Sequence, residues 1–281
     1  MKKYLIGLGI VAVAVLAVFS IPYFQKGAMP EHAGQMHVES KLVRAGLDSI
    51  AHFKDFRVKL DFSPAQPEPN GMTNLTLTFA THEGEPIDDL EIVHTKKLHF
   101  LAISEDLEEF RHVHPERVGP GIYVLQHTFG KAARYGLWAE VSRNGQGFTA
   151  EFTRDTTGAV IGAKPKMDLS REKVFQGYRV VFEPEPTEPR TSGKTMLRFR
   201  VADAMNGKPA ELGEYLGAPG HLVAVRLDVP DFRHLHATEA EMSMLHFETT
   251  FMDPGVYKMW VEFQPKHLLS SLAVPFMVVV K

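Results

Sequence analysis

Short apolar stretches separated by turn-forming residues fill the chain from about residue 55 onward. In each stretch hydrophobic side chains recur at every second position, as in Phe56-Arg57-Val58-Lys59-Leu60. That period is typical of a β-strand with one buried face. We predict seven strands in each half, near residues 56–62, 73–81, 97–104, 109–114, 121–129, 134–142 and 147–154, and near 178–184, 194–202, 219–226, 231–236, 243–251, 256–263 and 271–280. The pattern therefore predicts an all-β chain with two antiparallel β-sandwiches in tandem.

The second predicted sandwich repeats the sequence of the first at an offset of 122 residues, as from His99 to His221. The identical pairs around these histidines are His99/His221, Ala102/Ala224, Asp106/Asp228, Phe110/Phe232, Arg111/Arg233, His112/His234 and His114/His236. Tyr135/Tyr257, Trp138/Trp260 and Glu140/Glu262 follow in the same register. Duplication of one domain is the economical explanation. Tyr and Trp three residues apart cannot share a strand face, so we expect one in the core and the other at an edge or on the opposite face.

Composition and charge exclude several classes of protein. The net charge is −3, the pI is near 6.5, and no basic patch stands out in the sequence. These features argue against a nucleic-acid partner. The chain has no cysteine. This fits an oxidising compartment and excludes a disulfide framework, a cysteine zinc finger, thiol catalysis and a blue-copper centre.

The N-terminus predicts export from the cytoplasm. Met1-Lys2-Lys3 is basic, and Tyr4 to Phe24 runs without a charge, which is long enough to cross a bilayer as a helix. The lysines favour the cytoplasmic side, so the rest of the chain would lie outside. The competing interpretation is a cleaved signal peptide, and the protein would then be secreted. We favour a single-pass anchor in a bacterial cell membrane, with the C-terminal domains in the periplasm or at the cell surface.

The predicted domain layout follows from these segments. A tether follows the anchor, and Met29, His32, Met36 and His37 in it either suit Cu(I) or belong to an ordinary linker. Val38 to Lys54 is predicted as one short amphipathic helix. The layout is an anchor or signal peptide over 1–25, the tether with that helix over 26–54, sandwich 1 over 55–155, a linker over 156–174, and sandwich 2 over 175–281. We expect both sandwiches to be Ig-like or cupredoxin-like.

The repeated histidines have the spacing of a metal site. His112 and His114 alternate on one strand, so their side chains leave the same face, and imidazole nitrogens are ligands of zinc and copper. A hairpin centred on Asp106 would place His99 opposite Val113, so a bulge or a one-residue slip is needed to aim His99 at the pair. The second copy repeats this pattern. We predict two metal sites, with no catalytic residues and no organic cofactor, at His99, His112 and His114 and at His221, His234 and His236. The alternative is that these histidines lie on the surface or are hydrogen-bonded in the core.

Other residues near this pattern are secondary candidates. The repeated Arg111 and Asp106 are expected to stabilise the hairpin, and Phe110 to lie in the core. His94 has no counterpart in the second copy and is a candidate fourth ligand in the first. The alternating Met242, Met244 and His246 are core residues or, on an exposed face, a Cu(I) site, and His127 is placed at the surface.

No motif predicts an enzyme. The chain lacks G-x-S-x-G, H-E-x-x-H and a phosphate-binding glycine loop. Apart from the hairpin aspartate, we find no carboxylate near the histidines that both copies share and that indicates a catalytic zinc pocket.

One family resemblance follows from the histidine stretches. His94–Leu107 with Phe110–Glu116, and Tyr215–Val225 with Phe232–His236, resemble YtkA-like and cupredoxin-like domains of bacterial secreted proteins. The resemblance covers most of 56–281 and implies copper or heavy-metal handling. The second copy departs from it in having Ala237 where the first has Pro115.

Three functions remain open at this point. The leading one is an anchored extracytoplasmic protein that sequesters or delivers copper, with zinc as the alternative ion and with metal-transport or assembly proteins as partners. The second is an adhesion or assembly scaffold without metal. The third is a zinc- or copper-dependent enzyme.

Overall fold

The computed structural model describes residues 40–228, 231–241 and 243–281. The predicted anchor over 1–25, its signal-peptide alternative, the four Met and His residues of the tether, and Met242 lie outside the described residues. Within the described ranges, no helix is long and apolar enough to cross a membrane. The described elements are all strands, which confirms the all-β prediction.

The described residues form twenty strands. They are β1 Lys41–Arg44, β2 Ile50–His52, β3 Arg57–Ser63, β4 Met72–Ala80, β5 Leu98–Ser104, β6 Phe110–Val113, β7 Glu116–Gly119, β8 Ile122–Thr128, β9 Arg134–Arg143, β10 Gln146–Asp155, β11 Glu172–Phe175, β12 Tyr178–Glu185, β13 Lys194–Asp203, β14 Leu212–Gly213, β15 His221–Arg226, β16 Phe232–His236, β17 Glu239–Glu241, β18 Met244–Thr250, β19 Gly255–Pro265 and β20 Leu272–Val280. Each predicted strand is present, and the additional ones are β1, β2, β7, β11, β14 and β17.

Each repeat is a sandwich of two five-stranded sheets. In repeat 1 the sheets have the orders β1-β10-β9-β5-β6 and β2-β3-β4-β8-β7. In repeat 2 the orders are β11-β12-β13-β18-β17 and β14-β19-β15-β16, with β20 on the other side of β19. Alternating apolar side chains of both sheets meet in one core per repeat, as the period-two pattern requires. The predicted pair of sandwiches is therefore present.

The predicted helix over 38–54 is wrong for its described residues. They form β1, which pairs in parallel with β10, and β2, which pairs antiparallel with β3. Ala51 and Phe53 bury their side chains in the core of repeat 1. Pairing at two sheet edges satisfies the backbone of this segment and outweighs its weak helical periodicity.

A third hydrophobic core, the interface core, joins the two repeats. It is formed by Leu101, Ile103, Leu107, Phe110, Trp138, Val223, Val225 and Trp260. Strand β5 is buried along its whole length because one face lies in the core of repeat 1 and the other faces repeat 2. The tyrosines Tyr135 and Tyr257 fill the two domain cores, while the tryptophans three residues later lie in the interface core. The expected division between Tyr and Trp is thus confirmed, with the opposite face of the strand covered by the other repeat.

Reciprocal aromatic stacks show how the repeats are related. Phe110 of repeat 1 stacks on Trp260 of repeat 2, with ring centroids 4.7 Å apart and planes 10° from parallel. Phe232 of repeat 2 stacks on Trp138 of repeat 1 at 5.0 Å and 11°. Equivalent residues exchange partners in this way across a two-fold axis, so the repeats pack as a pseudo-dimer within one chain. Phe110, expected in the core, lies in the interface core, and Phe232 packs against it.

Candidate metal centre

The hairpin of each repeat aligns the histidines without a bulge. In repeat 1, Phe100 lies opposite Val113 and Leu101 opposite His112, and the same register places His99 across from His114. In repeat 2, His221 lies directly opposite His236. The expected one-residue slip is therefore present, because the turn has four residues between Ser104 and Glu109, whose backbone N–H and C=O groups close it at 3.0 Å. All three histidines of a repeat therefore leave the same face of the sheet.

Two clusters of imidazole nitrogens result, one per repeat. Cluster 1 consists of His99, His112 and His114, and cluster 2 of His221, His234 and His236. Within each cluster one ring nitrogen per residue lies within 4.8 Å of the other two. The structure thus brings all six predicted ligands together in two groups that could each hold a metal ion.

The nitrogen spacing in cluster 1 fits a single ion. His99 Nδ1 lies 3.2 Å from His112 Nε2 and 3.2 Å from His114 Nε2. Three nitrogens at about 2.0 Å from one tetrahedral ion are separated by about 3.3 Å. The rings are therefore close to a coordinating arrangement.

Cluster 2 has the same arrangement with one looser member. His221 Nδ1 lies 3.2 Å from His234 Nε2. The Nε2 atom of His236 is buried and has no hydrogen-bond partner among the described residues. A buried nitrogen without a partner is unfavourable unless an ion or a water binds it.

Hydrogen bonds behind the rings fix which nitrogen is free to bind metal. His99 Nε2–H donates to the backbone oxygen of Val93 at 3.1 Å, and His221 Nε2–H donates to that of Tyr215 at 2.9 Å. These acceptors have no proton to give, so in the neutral rings the Nδ1 lone pairs point into the clusters. Metal-binding histidines are usually oriented by such a second hydrogen bond.

The rings of His112 and His234 are oriented by residues of the opposite repeat. His112 Nδ1–H donates to Glu262 Oε2 at 2.7 Å, and His234 Nδ1–H donates to Glu140 Oε2 at 2.6 Å. In the strand pairing, however, each glutamate lies opposite a histidine of its own repeat: Glu140 opposite His99, and Glu262 opposite His221. Each cluster is therefore completed by a glutamate that the other repeat supplies.

Sequence reasoning missed this pair of glutamates. We found no shared carboxylate near the histidines, although Glu140 and Glu262 occupy one repeat position. Each lies 26 residues beyond the second histidine of the H-x-H motif in its own repeat. The signal that could have found them is the repeat alignment itself, which places a glutamate two residues after each tryptophan.

Burial favours the neutral form of five of the six cluster histidines. It lowers the pKa of His99 to about 4 and that of His114 to about 3, with the neighbouring His112 adding to both shifts. Burial also lowers the pKa values of His221, His234 and His236. Neutral imidazole is the form that binds a metal ion, so near pH 7 these ligands need not lose a proton.

Two tight turns support the clusters. Val93–Lys96 and Tyr215–Ala218 each close with reciprocal backbone hydrogen bonds, and their carbonyls at Val93 and Tyr215 hold His99 and His221. Thr95 has a φ of 68°, which is unfavourable for a β-branched residue. Such strain often accompanies functional sites.

His94 does not complete cluster 1. Its ring stacks on His236 of cluster 2 at 3.6 Å and 22° and lies 5.7 Å from the ring of His221. Its predicted role as a fourth ligand in the first copy is therefore wrong, because the docked repeats bring this turn to the other cluster. Stacked rings keep their nitrogen lone pairs in parallel planes, so His94 covers a ligand of cluster 2.

Of the other secondary candidates, one has its expected role and three lie elsewhere than expected. Asp106 accepts from Ser104 Oγ at 2.6 Å and from Lys131, which confirms its expected role in the hairpin. Met244 and His246 lie half-buried on the outer face of β18, while Leu245 fills the core, so the core interpretation is wrong for both. His127, expected at the surface, is buried.

A cleft opens onto the histidines from one side. Its volume is about 520 Å³, and its lining includes Ser40, Thr149, Glu140, His234 and His236. Thr149 Oγ1 donates to Glu140 Oε1 at 3.4 Å, and Ser40 bonds Thr149 at 2.6 Å. The cleft gives a small ion or ligand a route to cluster 2.

Comparisons with solved structures give only distant likenesses. The adhesin FdeC of Escherichia coli is 17% identical with a TM-score of 0.25, over 80% of this chain and 64% of that one. InvD of Yersinia pseudotuberculosis is 13% identical with a TM-score of 0.27, over 80% and 58%. A Salmonella alpha-2-macroglobulin is 12% identical with a TM-score of 0.28, over 84% and 16%. The chain thus spans less than two thirds of each, and at these values the likenesses carry no argument about function.

The family comparison is more direct. No curated protein matches the sequence. A family model matches residues 51–158 and again 172–281, in agreement with the internal repeat. The chain belongs to the family described as "Domain of unknown function (DUF8832)".

Proposed function

We propose that this chain is a metal-binding protein whose two three-histidine clusters each take a transition-metal ion, with copper as the physiological ion and zinc as the alternative. The observation that carries the proposal is the convergence of ring nitrogens at 3.2 Å in both repeats. Lone pairs that face one another at this distance repel unless a proton or a metal ion lies between them.

Equivalent hydrogen bonds behind the ligands in the two repeats favour a metal over a purely structural role. A histidine that merely packs a hairpin needs one partner, whereas a metal ligand uses one nitrogen for the ion and the other for an orienting acceptor. His99, His112, His221 and His234 have this second arrangement in both repeats.

Copper is favoured by ligand type. Imidazole binds Cu and Zn well, and copper stands above zinc in the affinity order of divalent ions. The Met and His residues of the preceding tether also suit Cu(I). Together with the predicted anchor and the resemblance to copper-handling YtkA-like and cupredoxin-like domains, this gives a role in extracytoplasmic copper sequestration or delivery. In this role the protein binds and releases an ion and catalyses no reaction.

The scaffold alternative makes a different prediction for purified protein. The full chain, purified in detergent and treated with a chelator, is titrated with Cu or Zn and desalted, and the bound metal is counted. Retention of at least one equivalent, lost in the double variant His112→Ala/His234→Ala, supports the proposal. The same folded protein without bound metal at micromolar concentrations would leave the scaffold function in its place.

A further inference from the structure

His236 of cluster 2 is held by a ring stack rather than by a hydrogen bond. The other two ligands of this cluster each donate an N–H to an oxygen outside it. Among the described residues, no hydrogen bond of that kind is found for His236 or for its equivalent, His114. The ring of His94 lies instead on the ring of His236, with centroids 3.6 Å apart and planes 22° from parallel. The described ring contacts of His114 are with the other two histidines of its own cluster.

The stack forms where two equivalent turns of the two repeats meet. His94 is the second residue of the turn Val93–Lys96, and Leu216 is the second residue of the turn Tyr215–Ala218. Both residues have a positive φ, of 48° and 54°. A Cβ added to Gly217 of the second turn would lie 3.8 Å from His94 Cα, so the two turns are in contact. This contact brings the His94 ring of repeat 1 to the cluster of repeat 2.

The stacked orientation of His236 suits metal binding. In this orientation one of its ring nitrogens lies within 4.8 Å of the ligand nitrogens of His221 and His234. The ring of His94 also stands at 81° to that of His221, with centroids 5.7 Å apart, so it packs near two ligands. An ion lies in the plane of the ring that binds it, and the stack displaces the plane of His94 from that of His236. His94 therefore supports a ligand and does not bind the ion itself.

We propose that His94 is a positioning residue of cluster 2, and that the two metal sites are unequal because Leu216 occupies the equivalent place in repeat 2. A ring that is already held loses less conformational freedom when an ion binds. Leucine covers a neighbouring ring by contact area but has no aromatic stacking interaction. Cluster 2 is thus the site that retains its copper, and cluster 1 is the site that exchanges it. This inference rests on the proposed function and adds a division of roles between the sites.

The size of the difference follows from the stack. An offset aromatic pair changes an equilibrium constant by about 2–10-fold beyond the burial of its area. Release of an ion begins when one ligand rotates away, and rotation of His236 breaks the stack. We therefore expect a factor of about 2–10 both in the affinity of cluster 2 and in its rate of copper release.

The test exchanges the two turn residues in proteins that keep one site. In the full chain in detergent, His114→Ala leaves cluster 2 intact and His236→Ala leaves cluster 1 intact. His94→Leu is added to the first protein and Leu216→His to the second, so that each turn receives the residue of its equivalent. Cu(I) affinity is measured under nitrogen by competition with a chromophoric chelator, and the release rate by transfer to an excess of that chelator. We expect weaker binding and faster release at cluster 2, and the opposite changes at cluster 1.

A second variant separates stacking from metal ligation. His94→Phe keeps an aromatic ring and removes both nitrogens, so cluster 2 should keep an affinity close to that of the unchanged site. His94→Leu in the protein that keeps cluster 1 is the control and should leave that affinity unchanged. Circular dichroism confirms that the variants fold.

The outcomes separate this inference from the proposed function. An unchanged affinity and release rate with His94→Leu, an equal loss with His94→Phe, or no gain at cluster 1 with Leu216→His would each overturn the role of His94 and leave metal binding in place. Failure of the unsubstituted chain to bind copper would instead overturn the proposed function.

Discussion

Replacing Glu262 by glutamine should weaken the metal site of the other repeat. Glu262 belongs to repeat 2, yet its carboxylate accepts the Nδ1–H of His112 in cluster 1 at 2.7 Å. Both side chains are nearly inaccessible to solvent, at 4% and 0% exposure, so water cannot replace the lost interaction. The glutamine oxygen is a weaker acceptor than the carboxylate and holds His112 less firmly.

The size of the effect follows from the role of the carboxylate. Removing a carboxylate that orients a metal-bound histidine typically lowers metal affinity by about 10–100-fold, or about 1.4–2.7 kcal/mol. Among the described residues, Glu262 is hydrogen-bonded to cluster 1 and not to cluster 2, so we expect the loss at cluster 2 to be smaller.

Single-site proteins make this difference measurable. His236→Ala leaves cluster 1 as the intact site, and His114→Ala leaves cluster 2. Glu262→Gln is added to each, and Cu(I) affinity is measured by competition, with circular dichroism to confirm that the variants fold. We expect the larger loss at cluster 1, and the reverse order for Glu140→Gln. An equal loss at both clusters, or a larger loss at the cluster of the glutamate's own repeat, would refute the crossed arrangement.

Three further predictions concern stability, each measured by urea denaturation. Trp260→Ala should lower the free energy of unfolding by about 3–5 kcal/mol, because it leaves a cavity in the interface core. Trp260→Phe should lower it clearly less, and equal losses would contradict the stacking role. Gly217→Ala should destabilise by about 1 kcal/mol more than Gly145→Ala, because both glycines have positive φ but only at Gly217 would the added Cβ meet Thr95, at 3.1 Å. Burial lowers the pKa of His127 to about 4 from 6.5, so the unfolded chain binds more protons between these values. As the pH falls from 6.5 to 4, protonation of this group should therefore lower the free energy of unfolding of the metal-free protein by up to about 3 kcal/mol. His127→Thr should reduce the dependence of this free energy on pH, and an unchanged dependence would show that His127 does not titrate in this way.

The period of the hydrophobic pattern was enough to predict the inner strands, but not the edges. All six additional strands, such as β1 and β7, lie at a sheet edge. Edge strands are short and bury few side chains, so they carry little alternation. The segment Lys41–Arg44 shows this, since none of its residues is fully buried.

The histidine ligands were predictable because duplication preserved them, whereas their orienting partners were not. The one-residue slip in the hairpin register depends on Leu107, whose φ of 56° gives a turn type that sequence alone does not reveal. The acceptors at Val93 and Tyr215 are backbone atoms, which leave no mark in side-chain identity.

The packing of the two repeats against each other was not predicted from the sequence. Either the tyrosines or the tryptophans were expected at an edge or on the opposite face, and in the structure the tryptophans lie on the opposite face, which the other repeat covers. Alternation along a strand shows that a face is apolar, but not which surface packs on it. For that reason the crossed glutamates and the position of His94 could be seen only in the structure.

X-ray absorption spectroscopy of the copper-loaded full chain tests metal coordination by the clusters most directly. We predict three imidazole nitrogens per copper at about 2.0 Å, with this signal lost in His112→Ala/His234→Ala. Copper that is absent from the folded protein at micromolar concentrations, or bound in a shell that the double variant leaves unchanged, would contradict it.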